Sequence, residues 1–146
     1  MVSMQTRTDY SHHGQSRWFI PGHPIAPDQR ARFLGFMLIE ATSFLIAALA
    51  HHGVLVPGHE HALARAAELL IGSVLALAAL ASWLLPDHAR RIGFIAQAFA
   101  FFATVLGLLM IAIGIGPRSI PDLIFNAGAL LLLSLGLYVI ARGSRM

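Results

Sequence analysis

Cysteine and lysine are both missing from this 146-residue chain. Without cysteine there is no thiol redox catalysis, no disulfide exchange and no cysteine-ligated metal cluster. Without lysine there is no Schiff-base chromophore and no lysine nucleophile, because all ten basic residues are arginine. Charge is also scarce: 12% of residues are charged, against about a quarter in soluble domains. Strict two-residue alternation is absent, which disfavours a transmembrane β-barrel. The first thirty residues carry no apolar h-region and no small-residue cleavage pattern. The expectation is therefore a retained N-terminus, with the first span acting as an uncleaved anchor.

Hydrophobic residues, by contrast, make up 57% of the chain. They gather in four runs, 33–50, 62–85, 92–115 and 120–141. Each run is close to the roughly 20 residues that an α-helix needs to cross about 30 Å of hydrocarbon. The predicted fold is all-α: a four-transmembrane-helix antiparallel bundle, residues 30–146, preceded by an extended N-terminal arm, residues 1–29. The arm is rich in Ser, Thr, His, Gly and Pro and has no core of its own, so it reads as a partner-binding segment through Trp18 and Phe19.

Arginine placement predicts the orientation. Arg7, Arg17, Arg30, Arg32, Arg90, Arg91, Arg142 and Arg145 fall on one side, and Arg65 and Arg118 on the other. Positive residues stay cytoplasmic, so both termini are expected inside a bacterial inner membrane. Trp83 and Tyr138 then sit near the cytoplasmic interface, where amphipathic aromatics gather. The net charge of +3 arises at the span ends. No contiguous basic face predicts a nucleic-acid partner. Connections are short. In "GIGPRSIPD", Gly114 and Gly116 close the third span; Ser119 caps the fourth, with Pro121 in its first turn and Asp122 three residues past the cap. Ala96 with Ala100, and Ala103 with Gly107, are small residues at helix-packing spacing.

Each span carries one strongly polar side chain: Glu40, Glu68, Gln97 and Asn126. Insertion scales charge acidic residues roughly 2.5 to 3.5 kcal/mol at the centre of a span. Glu40 is therefore expected to face the bundle interior or a partner, as hydrogen-bonding glue or as a proton-exchanging group. Glu68 has Arg65 one turn earlier as an expected ion-pair partner.

Four spans with a glutamate in the first, within "LIEATSFL", make an architecture similar to that of the small multidrug-resistance transporters. That resemblance covers Glu40 alone and implies a carboxylate that exchanges protons. In overall pattern, with "GIGPRSIPD" in the last hairpin and a glutamate early in each of the first two spans, the chain resembles small uncharacterised four-helix bacterial inner-membrane proteins. That resemblance implies no particular activity.

His51, His52, His59 and His61 flank one outer loop that also holds Glu60, and imidazoles beside a carboxylate can bind zinc or copper. His59 and His61 converge on one ion only in an extended segment, and His51 and His52 would diverge on a helix. Interfacial histidines in a polar loop are the plainer expectation. No histidine lies deep in a span, so no intrinsic haem is expected.

The leading expectation is a non-catalytic structural or accessory subunit of a larger bacterial inner-membrane complex, not an enzyme. Other integral membrane subunits and membrane lipids are its expected partners. No intrinsic cofactor is predicted beyond bound lipid, and a shared pigment, haem or quinone is left to a partner interface. Two alternatives stand beside it: a small proton-coupled transporter using Glu40, and a metal-handling protein with an outer histidine cluster.

Overall fold

A computed structural model describes residues 27–142 of the chain. Four helices dominate it: α1 Pro27–Ala50, α2 Ala62–Leu84, α3 Ala89–Ile113 and α4 Ile120–Arg142, with a 3-10 turn, Pro86–His88, before α3. The described residues contain no strand. All four helices are long and apolar enough to cross a membrane. Trp18 and Phe19, the expected partner-binding residues of the arm, lie outside the described residues.

Two helices begin earlier than their apolar runs. Helix α1 starts at Pro27, inside the stretch read as arm, and α3 starts at Ala89 rather than at residue 92. Hydropathy misses such first turns because they are polar, while proline at a first helical position is pre-set for the helix. Helix α3 ends at Ile113 because Gly114 adopts φ 89°, the left-handed conformation that favours glycine. The Ile115 N–H donates to Met110 O at 2.9 Å and the Gly114 N–H to Ile111 O at 3.1 Å, which satisfies the terminal carbonyls.

Each helix buries one face at heptad-like spacing. On α1 that face holds Phe33, Met37, Glu40, Ala41, Phe44 and Ala48; on α2 it holds Glu68, Ile71, Leu75, Ala78, Ala79 and Ser82. Large apolar side chains such as Ile39, Leu77, Phe102 and Leu131 point outward, as suits a lipid surround. Helix α1 packs on α2, α2 on α3, and α3 on α4, and α4 returns to α1 along the thinnest of these seams. Close approach is bought by small residues: a Cβ on Gly93 would stand 1.8 Å from the Phe33 ring. The small pair Ala96 and Ala100 is buried, as its spacing predicts. Arg30, an orientation signal in the sequence, also has a structural job. Its guanidinium donates to Ser82 O at 3.3 Å and to Trp83 O, capping the last carbonyls of α2.

Candidate metal site and the intramembrane polar pair

The end of α1, the start of α2 and the start of α4 meet beside the loop that follows α1, and four ionisable side chains converge there. His51 lies one residue past α1 on the register of its buried face, seven residues from Phe44. Its Nδ1 lies 2.7 Å from Glu68 Oε2 and its Nε2 lies 3.1 Å from Asp122 Oδ1. All three residues are buried. His59 adds its Nε2 at 3.3 Å from the same Asp122 oxygen, and its ring stacks on His51 with centroids 5.3 Å apart.

Local structure fixes each member. Ser119 Oγ donates to Asp122 Oδ2 at 2.5 Å, and the Asp122 N–H donates back to Ser119 Oγ at 3.3 Å. This is the predicted N-terminal cap, and it leaves Oδ1 aimed at the histidines. The His61 N–H donates to His51 O at 3.0 Å, which closes the loop back onto α1.

Both nitrogens of His51 face carboxylate oxygens. A neutral ring carries one N–H, so both contacts are hydrogen bonds only when a further proton sits on the ring or on a carboxylate. A metal ion can take that proton's place. One donor atom from each of His51, His59 and Asp122 lies within 4.8 Å of the others. A tetrahedral ion at about 2.0–2.1 Å from its ligands sets ligand–ligand edges of about 3.3–3.4 Å. The observed 3.1 and 3.3 Å are close to those edges. Glu68 then occupies the place that a carboxylate commonly takes behind a metal-bound histidine, holding the far N–H and fixing the ring.

The sequence-derived ligand set is thus redrawn. His51 and His59 come together as candidate ligands. His61 caps α2 instead, its Nδ1 accepting from the Ala64 N–H at 3.2 Å. His52 is exposed. Glu60 is exposed too, and Oε1 accepts the Gly58 N–H at 3.3 Å. Hydrogen bonds from its own backbone N–H and that of Gly58 hold its carboxyl below the ordinary carboxylate range. His51 is not an exposed loop histidine, since the residue is only 5% exposed. Glu68 pairs with His51 rather than with the expected Arg65. In the sequence, Asp122 reads only as a capping residue. The missed signal is its register: it lies seven residues before Ala129 and eleven before Leu133, both on the buried face of α4.

The four intramembrane polar residues do not form one network. Glu40 and Gln97 pair across the bundle, Gln97 Nε2 donating to Glu40 Oε2 at 2.7 Å. Glu40 Oε1 and Gln97 Oε1 have no partner among the described residues. A Cβ on Gly136 would stand 2.4 Å from Gln97 Nε2, so the bare glycine on α4 makes room for the amide. Glu68 belongs to the histidine cluster, and Asn126 donates to Asp122 O on its own helix at 2.8 Å.

Comparison with known proteins adds no assignment, because no protein family, curated protein or solved structure matches this chain.

Proposed function

We propose that the chain is a multi-pass protein of the bacterial inner membrane that binds a divalent metal ion of the zinc class at the outer mouth of an antiparallel bundle. The observation that carries this reading is the shared placement of His51 Nε2 and His59 Nε2 around Asp122 Oδ1, with Glu68 on the far nitrogen of His51. Two imidazoles and one carboxylate suit zinc and its neighbours better than magnesium or calcium, which favour all-oxygen shells. Three protein ligands leave a fourth position open, the pattern of a site that exchanges ligands rather than one that only staples a fold. That position has room: a cavity of ≈ 310 Å³ is lined by His51, His59, Asp122, Val56 and Phe125 among others.

This reading is the metal-handling alternative, with a revised ligand set, and it replaces the expectation of no intrinsic cofactor. The accessory-subunit expectation stood on the N-terminal arm and on missing catalytic motifs. The converging side chains favour metal handling over it, although a subunit of a larger complex can hold such a site equally well. The arginine bias supports placing the site outside and both termini inside.

The test is zinc titration of the purified protein in detergent against a competing chelator. One ion per chain is expected, with binding lost in His59→Ala and retained in His52→Ala. Retained binding in His59→Ala, or none in the native chain, would refute the site.

A further inference from the structure

We propose that the seam between α1 and α4 also binds a membrane-borne amphiphile, one with an apolar body and a single ring-sized head bearing a hydroxyl. A second cavity, ≈ 200 Å³, opens between these helices and is separate from the histidine cluster. It is lined by Glu40, Ser43, Phe44, Ile124, Phe125 and Gly128, among others. The Phe44 and Phe125 rings meet edge to face, with centroids 5.6 Å apart, and Phe125 lines both cavities.

Polarity selects the occupant. The walls are apolar except for Glu40 and Ser43. The Ser43 hydroxyl has spent its proton on Ile39 O at 2.8 Å, so it offers only lone pairs. Glu40 is 1% exposed, its Oε2 is taken by Gln97, and its Oε1 is unpartnered among the described residues. A buried polar atom without a partner is uncommon and calls for one. Protonated, that carboxyl needs an acceptor; ionised, it needs a donor. A hydroxyl satisfies both states, whereas an ammonium satisfies only the second and a ketone only the first.

Size selects the head. A dry cavity of about 150 Å³ holds benzene, so this one admits one substituted ring. Access comes from the lipid side: this is the thinnest of the four seams between neighbouring helices, and Gly128 on its wall is exposed. A Cβ built on Gly128 meets nothing within 4 Å.

The experiment uses the full chain in lipid nanodiscs and two photoreactive probes: a diazirine-bearing alkylphenol and the same molecule without its hydroxyl. Expected is labelling of residues 40–44 and 124–128, about tenfold stronger for the phenol, as one well-made buried hydrogen bond predicts. Glu40→Leu should erase that preference. Gly128→Leu should suppress labelling by both probes, since its side chain enters open space and fills the cleft. Equal labelling by the two probes would mean that lipid chains cover the seam and would overturn the proposal. So would labelling that ignores Gly128→Leu, or phenol labelling confined to other surfaces.

Discussion

Glu68 Oε2 and His51 Nδ1 lie 2.7 Å apart in a buried contact that ties α2 to the residue just past α1. The carboxylate does more than offset a buried imidazole. By engaging Nδ1 it commits Nε2 to the side where Asp122 and His59 stand, so one hydrogen bond sets both the packing and the chemistry of this end of the bundle.

Glu68→Gln keeps an acceptor for the His51 N–H and removes the charge behind it. The expected result is an inserted, folded protein whose zinc affinity falls about 10- to 100-fold. Chelator competition measures it, and an unchanged affinity would show that Glu68 does not support a ligand.

His61→Ala removes the side chain that caps α2; its ring meets His51 edge-on, with centroids 6.4 Å apart, but its Nδ1 is committed to the Ala64 N–H. A stability loss of about 1 kcal/mol is expected from the lost cap, with zinc affinity held within about threefold. Thermal unfolding and zinc titration of the same sample check both halves. Loss of zinc binding with intact stability would return His61 to the ligand set.

Glu40 and Gln97 should behave as a coupled pair. Glu40→Leu leaves a buried amide without its acceptor and should cost about 1–3 kcal/mol. Glu40→Gln preserves a hydrogen-bonding group and should cost about 1 kcal/mol or less. In the double variant Glu40→Leu with Gln97→Leu the loss should be smaller than the sum of the two single losses. Strict additivity in a double-mutant cycle would show that the two side chains stabilise the bundle independently.

Two glycines on the helices should respond in opposite directions to the same methyl group. Gly93→Ala places a Cβ 1.8 Å from the Phe33 ring and should destabilise the protein by about 1–3 kcal/mol. Gly35→Ala meets nothing within 4 Å and should be neutral or stabilising by up to about 1 kcal/mol. Unfolding in mild detergent compares them, and an equal response would contradict the tight α1–α3 approach.

Reporter fusions should place the C-terminus in the cytoplasm and the 51–61 loop outside, following the eight-to-two arginine bias. A fusion at Met146 that reports the outer face would reverse the orientation and move the proposed metal site to the cytoplasmic side.

Four apolar runs of near-membrane length, broken by Gly, Pro and charged residues, were enough to determine four helices, because length and hydropathy are properties of each segment alone. The turn at Gly114 and the Ser119 cap were legible for the same reason: both are made by residues a few positions apart. Glu40 and Gln97 were identifiable as individually costly, since hydrocarbon penalises any polar group within it. Their pairing was not, because 57 residues separate them and only helix rotation and the bare Gly136 bring the amide to the carboxylate. The histidine cluster depended on tertiary structure still more. Its candidate ligands come from α1's end, the following loop and α4, so sequence spacing within the loop favoured His61 and Glu60 over Asp122. Segment chemistry settled what the chain must bury, and the packing of distant helix ends settled which buried groups meet.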